Sequence, residues 1–134
     1  MSFTTRQKVL FKHCDPAGIV FFPRYYEMVN DGIEAFFDAI GFPYEMLHQA
    51  TAVPTVKIET EFVSPSRHGD MLDLTVIPRK VGRTSLTLTV TLTADDGLRV
   101  AYRSTMVHID LGGRPVPWPD DLRAALMANL EEET

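Results

Sequence analysis

The stretch HCDPAGIVFF, His13 to Phe22, sets a carboxylate among a proline, a glycine and two phenylalanines, between a strand pattern and a helix pattern. Asp15 admits two readings. Asp-Pro and Ala-Gly form turns, and an aspartate in a turn commonly accepts a hydrogen bond from the backbone two residues on. A carboxylate near a helix N-terminus can also act as a base on water or attack a carbonyl itself. Backbone N–H groups at a helix start are preoriented donors for negative charge developing on a carbonyl oxygen. Pro23 contributes no N–H, so Phe22, Arg24 and Tyr25 are the candidate donors. Adjacent side chains on extended backbone point to opposite faces, so His13 and Cys14 cannot form a nucleophile–base pair with each other. Cys14 is read as a small buried residue, and His13, on the same face as Asp15, as a group that could orient it.

The elements that must position these residues are legible in the periodicity. Phe3 to about Phe11 reads as a first strand, broken by CDPAG. From Arg24 to Ile40 apolar residues recur at Tyr25, Met28, Val29, Ile33, Phe36, Phe37 and Ile40, one face of an amphipathic helix, with Glu27, Asn30, Asp31, Glu34 and Asp38 on the other. Pro23 suits the first helical turn, and Gly41 followed by Pro43 suits the end. YEMLHQA is a short second helix. The period then changes to two. VKIETEF, MLDLTVIPRK, TSLTLTVTLT and LRVAYRSTMVHID read as strands, with ADDG as a hairpin turn between the last two. PDDLRAALMANL reads as a closing helix with aspartates near its start. Antiparallel strands with one apolar face need a cover, and only the helix of residues 24–40 is long enough to be it. The expected class is therefore α+β: an antiparallel sheet wrapped around a long central helix.

Length and composition narrow the function classes. The 134 residues suit one domain, spanning 1–134, with a substantial core. A net charge of −5 argues against wholesale binding to nucleic acid or an anionic membrane. No apolar run is long enough to span a bilayer, and the N-terminal residues lack a signal-peptide layout, so a cytoplasmic location is expected. The single cysteine forbids an intrachain disulfide, and four histidines without cysteine pairs give no metal-ligand spacing. No metal or other cofactor is implied.

The segment CDPAGIVFFPRYYEMVNDGIEAFF resembles the active-site loop and central helix of the 4-hydroxybenzoyl-CoA thioesterase family, whose members have the hot-dog fold. VPTVKIETEFVSPSRHGDMLDLTVIPRKVGRTSLTLTV is similar to that family's next three strands, including its GD turn and its GR-[ST]-S segment; the C-terminal helix matches poorly. The resemblance implies hydrolysis of an acyl-CoA or aryl-CoA thioester by a homodimer or homotetramer with its sites at a subunit interface. It puts Asp15 at the catalytic carboxylate, as base or nucleophile, and the Phe22 N–H against the thioester carbonyl. It puts Gly18, Phe21, Tyr25 and Asn30 at the acyl group, Val53, Pro54 and Thr55 at the pantetheine arm, and Arg83, Thr84 and Ser85 at the CoA phosphates. One branch of the family has a histidine where this chain has Phe22. Members acting on hydroxybenzoyl groups carry a helix aspartate where this chain has Asn30, with Asp31 next to it. Aromatic residues at helical spacing also build cores, so Tyr25 is expected mostly in the core and Phe21 nearer the pocket. Arg79 and Lys80 are further candidates for phosphate or a solvated strand end.

Three other readings compete with this one. A hydratase or dehydratase on the same fold needs a histidine and a carboxylate placed together, and no such spacing follows a strand here. A non-catalytic acyl-thioester binding module would keep the pocket and basic residues but have no use for Asp15. A cone-shaped helix-plus-sheet fold opens with several helices, whereas this chain opens with a strand. A dimer is also expected from the strand TSLTLTVTLT, which would be hazardous if left as an unpaired edge.

Overall fold

A computed structural model describes residues 2–133. Strand β1 (Phe3–Lys8) is followed by a single 3-10 turn at Phe11–His13, then helix α1 (Pro23–Ala39), a one-turn helix α2 (Tyr44–Leu47) and a two-residue strand β2 (Thr51–Ala52). Strands β3 (Thr55–Phe62), β4 (Met71–Val81), β5 (Ser85–Ala94) and β6 (Gly97–Val107) follow, then β7 (Ile109–Asp110) and helix α3 (Asp120–Ala128). The main sheet is antiparallel in the order β1-β4-β5-β6-β3, and β2 pairs with β7 in a small second sheet.

The core forms where the two periodicities meet. The inward residues of the sheet are Leu72, Leu74 and Val76 on β4, Leu86, Leu88, Val90 and Leu92 on β5, and Val100, Tyr102 and Met106 on β6. They close on the apolar stripe of α1, in which Tyr25, Met28, Val29, Ile33, Phe36 and Phe37 are all buried. Burying each such side chain contributes about 1.5–3 kcal/mol, so the sheet–helix interface is what holds the start of α1 in place. Gly32 permits the close approach: a Cβ built there would lie 2.3 Å from Cδ2 of Leu74. The helix ends where expected. Phe42 N–H bonds the Phe37 carbonyl, Gly41 N–H bonds that of Asp38, and Gly41 takes a φ of +95° that a side chain would disfavour.

Four expectations are corrected. The first strand stops at Lys8, not near Phe11, because the Leu10 N–H turns to Nδ1 of His13 at 2.9 Å and the chain enters the 3-10 turn. The second helix keeps only Tyr44–Leu47 of the predicted seven residues, and β2 follows it. The last long strand breaks at His108, whose N–H bonds the Thr84 carbonyl, so its end becomes β7. TSLTLTVTLT is not an edge: β5 is paired on both sides, by β4 and β6. The unpaired edge across the sheet from β1 is β3. There Val56, Ile58 and Phe62 are 62%, 46% and 44% exposed, and residues on both faces of the strand reach solvent.

Candidate active site

Residues 13–21 form a small hairpin at the start of α1. Phe21 N–H bonds the His13 carbonyl, Cys14 bridges Val20, and Asp15 N–H bonds the Ile19 carbonyl. Gly18 N–H closes the turn on the Asp15 carbonyl at 2.9 Å, with Gly18 in the left-handed region at φ +82°. Asp first, proline second and glycine fourth are the residues such a turn favours. Asp15 is half-buried, and its Oδ1 accepts the Ala17 N–H at 2.9 Å, the turn bond of the first reading. Its second oxygen has no hydrogen-bond partner among the described residues. The turn bond and a free carboxylate oxygen therefore coexist.

The helix start resolves which amide is available. Arg24 N–H is taken by the Phe21 carbonyl at 2.8 Å, and Tyr25 N–H by that of Phe22 at 3.1 Å. Pro23 has none. The Phe22 N–H has no partner among the described residues, so of the three candidate donors it is the one left to bind a negative oxygen. Phe21 and Phe22 are 49% and 55% exposed and pack edge to face on each other, while Phe22 also meets Phe62 of β3. Tyr25 is buried against Phe62, in the core rather than at the surface. Asn30 is exposed on α1, about 12 Å along the axis from Phe22 at 1.5 Å per residue.

His13 does not touch Asp15. It is buried, its Nδ1 accepts the Leu10 N–H, and burial, reinforced by Lys12, lowers its pKa. Cys14 is half-buried, with its thiol toward the Leu10 carbonyl. His108 is in the core, stacked on Trp118 with Nδ1 donating to the Val116 carbonyl; His48 and His68 are exposed.

The remaining predicted residues gather at the opposite end of the sheet. Val107 N–H bonds the Pro54 carbonyl, Ser85 pairs with Val107, and His108 N–H bonds the Thr84 carbonyl, which brings Val53–Thr55 beside Arg83–Ser85. Val53 is buried, Pro54, Thr55 and Arg83 are exposed, and Thr84 and Ser85 are half-buried. The Phe22 end and the Thr55 end are separated by the eight residues of β3, about 23 Å at the rise of a strand. One chain does not bring the two groups together. Arg79 is occupied by Thr89 and the Glu131 carbonyl, whereas Lys80 is exposed. A surface hollow of about 420 Å³ lies elsewhere, lined by Glu59, Arg79, Thr89 and Arg103 among others.

Sequence reasoning missed the network of Arg99, Ser66 and Asp70 in the loop beneath the hairpin. Arg99, buried, donates from Nη1 to the Pro65 carbonyl, Ser66 Oγ and Asp70 Oδ2, and from Nη2 to Asp96. Arg67's backbone N–H and the Arg99 guanidinium hold the Asp70 carboxyl below the usual range, and Asp70 and Asp96 in turn raise Arg99. The GD turn at Gly69–Asp70 was the only signal pointing here. No helix among the described residues is long and apolar enough to cross a membrane, and no cluster of three or more metal-ligating side chains occurs among them.

Comparison with known proteins bears on this geometry. The sequence profile described as the thioesterase-like superfamily matches residues 9–126. The chain is 28% identical over 135 residues to a 1,4-dihydroxy-2-naphthoyl-CoA hydrolase of Nostoc punctiforme, covering 98% of this chain and 91% of that one. It is 30% identical over 77 residues to a 4-hydroxybenzoyl-CoA thioesterase of Pseudomonas sp. strain CBS-3, covering 54% of this chain and 55% of that one. A Staphylococcus aureus protein determined in complex with CoA superposes with a TM-score of 0.90 at 21% identity, over 100% of this chain and 89% of that one.

Proposed function

This chain belongs to the thioesterase-like superfamily and is a thioester hydrolase of the hot-dog fold, and on that premise we propose that it cleaves an aryl-CoA ester at a site built on Asp15 and the Phe22 N–H. The observation that carries the reading is the pairing of a free amide at the start of α1 with a half-buried carboxylate that keeps one oxygen unengaged. Water attack on the thioester carbonyl puts negative charge on its oxygen, and the Phe22 N–H is positioned to hold that charge. Asp15 takes the proton from the attacking water, or its free oxygen attacks to give a mixed anhydride that water then opens. In either course the C–S bond breaks and CoA leaves as a thiolate, which needs no strong acid. An aromatic acyl group suits the exposed rings of Phe21 and Phe22, and the exposed amide of Asn30 is assigned to its distal substituents. The named relatives that act on naphthoyl and benzoyl esters support that class.

The complete site is assigned to a dimer. If β3 pairs antiparallel with β3 of a second copy, the twofold axis falls near the middle of the strand. The Phe22 end of one copy then faces the Thr55 end of the other. That arrangement brings Asp15 and Phe22 of one chain to Val53–Thr55 and Arg83–Ser85 of its partner. It also covers Val56, Ile58 and Phe62, which one chain leaves exposed. The location proposed for this chemistry is the cytoplasm, in keeping with a single cysteine and a CoA substrate.

The test is a thiol-trapping assay on a panel of benzoyl-, naphthoyl-, short-chain and long-chain acyl-CoAs, with sedimentation on the same preparation. The expected result is turnover with the aryl esters preferred and a species no smaller than a dimer at micromolar concentration. A preference for long-chain esters overturns the aryl assignment, and a fully active monomer overturns the interface site.

A further inference from the structure

We propose that Arg99, remote from the hairpin in sequence and on the far strand of a bulge, is the positioning residue that sets the Asp15 hairpin at the start of α1. The proposal rests on the reading of Asp15 and Phe22 given above.

The hairpin does not stand on α1 alone. Its exit strand, and the segment at Val9 that leads into it through the 3-10 turn, both rest on the loop of residues 63–70 between β3 and β4. At the entry, Val9 N–H bonds the Asp70 carbonyl and Gly69 N–H bonds the Val9 carbonyl, each at 2.8 Å. At the exit, Val20 N–H bonds the Ser66 carbonyl at 2.9 Å, and Ile19 bridges Arg67. A displacement of this loop therefore displaces Asp15 relative to the Phe22 amide.

The loop has no regular structure of its own to hold it, and its inner surface is polar. What fills that surface is one guanidinium. Arg99 Nη1 lies 3.1 Å from the Pro65 carbonyl, 3.1 Å from Ser66 Oγ and 2.9 Å from Asp70 Oδ2. Asp70 Oδ2 in turn accepts the Arg67 N–H at 2.9 Å, so the same carboxylate fixes the loop backbone. Ser66 is fully buried and Arg99 is 8% exposed, so the bond between them acts in a desolvated setting, while those to Pro65 and Asp70 are partly buried.

Backbone geometry aims Arg99 at this loop. Leu92 pairs with Val100 but Thr93 pairs with Leu98, which leaves Arg99 as an extra, unopposed residue of β6. In a strict two-residue alternation Arg99 would face away from Val100, Tyr102 and Ser104. The bulge turns Arg99 and Val100 inward together, and both are buried. Re-aiming a side chain is what a bulge accomplishes, and bulges concentrate beside active sites.

The outer partner, Asp96, differs from the inner ones. Its side chain is 73% exposed and lies on the β5–β6 turn, and it touches nothing in the loop. That difference separates positioning from a general contribution to stability.

The experiment compares Arg99→Met, Arg99→Lys, Ser66→Ala and Asp96→Asn for kcat, KM, thermal melting and amide hydrogen exchange. Arg99→Met is expected to lower kcat about 100-fold with KM within about threefold, the effect of a reacting group displaced by about 1 Å. Arg99→Lys, which keeps the charge but not the fork, is expected to recover part of that loss. Ser66→Ala is expected to lower kcat about three- to tenfold. Asp96→Asn should leave kcat within about twofold. Exchange at the Val20 and Asp15 amides should rise at least about tenfold in Arg99→Met, with β4 and β5 amides protected as before. If Arg99→Met does not fold, Ser66→Ala and Arg99→Lys decide the matter by the same readouts. A kcat per folded molecule equal to that of the parent, or unchanged exchange at Val20, overturns the proposal. Parent protein without turnover on any acyl-CoA would instead refute the function proposed above, while the exchange measurement would still judge the role of Arg99.

Discussion

Replacing Asp15 with asparagine separates the turn bond the structure shows from the catalytic role proposed for it, because that bond survives the change. Ala17 N–H donates to Oδ1 of Asp15 at 2.9 Å, and an asparagine carbonyl in the same rotamer accepts that bond. What is lost from the turn is the charge assistance of a half-buried acceptor, about 1 kcal/mol or less after solvent screening. For a domain of this size that corresponds to a fall in Tm of no more than about 3–5 °C. The catalytic cost is larger. Removing a positioned base lowers kcat about 10²–10⁴-fold, which is about 2.7–5.4 kcal/mol of activation free energy. The two effects differ by a factor of several, so one preparation measured for turnover and for thermal melting distinguishes them. The expected outcome is a kcat reduced at least 100-fold, KM within about threefold, and nearly unchanged melting. A variant that keeps more than about a tenth of the parental kcat would refute the reasoning. So would a large fall in Tm with activity lost only in proportion to the unfolded fraction.

Arg83→Ala should raise KM for an acyl-CoA about five- to tenfold, the scale of one exposed phosphate contact, and leave KM for the matching acyl-pantetheine unchanged; equal effects on both would remove Arg83 from the phosphates. Gly32→Ala gains about 1 kcal/mol of helix propensity, yet its Cβ would meet Leu74 at 2.3 Å. Overpacking of about 1–3 kcal/mol should win, so Tm falls, and an unchanged or higher Tm would refute the close approach of α1 to β4. Burial holds the folded-state pKa of His13 below its ordinary 6.5, so protonation favours the unfolded chain. The stability it contributes is complete above about pH 6.5 and is lost as pH falls through the folded value. Tm measured from about pH 8 to pH 5 should decline over the lower part of that range, and His13→Leu should flatten the decline; identical profiles would exclude His13 as its source.

The parts of the fold that were legible are those in which one periodicity runs uninterrupted. Helix α1 begins one residue before the expected Arg24 and ends one before Ile40, because its apolar stripe, its proline and its glycine all agree. Strands β4 and β5 were read from alternation that the structure repeats as alternating burial. Legibility fails where a side chain competes with the backbone pattern. Nothing in the apolar spacing of VLFKH announces that Leu10 will donate to His13 and end the strand. The two-residue strands β2 and β7 carry no period at all. Arg99 is the clearest failure: alternation places it outside, and only a bulge that leaves no mark in residue type turns it inward.

For the site, the informative error concerns the edge of the sheet. TSLTLTVTLT looked hazardous because it is long and β-prone, but a strand in that position is made safe by neighbours on both sides, and β5 has them. VKIETEF reads as half-buried because it alternates, yet in one chain its apolar face is covered only in part, where Thr60 and Phe62 meet Tyr26 and Tyr25 of α1. Val56, Ile58 and Phe62 are exposed alongside Lys57, Glu59 and Glu61. The same strand divides the predicted site residues. Sequence resemblance implies a site at a subunit interface built from Asp15, Phe22, Val53–Thr55 and Arg83–Ser85, and in one chain β3 holds the two groups at its opposite ends. A twofold axis at the middle of an edge strand reconciles both facts at once, because the operation that covers the exposed apolar residues also exchanges the strand's ends. Under the proposed dimer the exposed edge and the divided site have a common explanation, and a substitution that disrupts β3 pairing, such as Ile58→Lys, should abolish dimer and turnover together, read by sedimentation and the thiol-trapping assay; an active Ile58→Lys monomer would refute the arrangement.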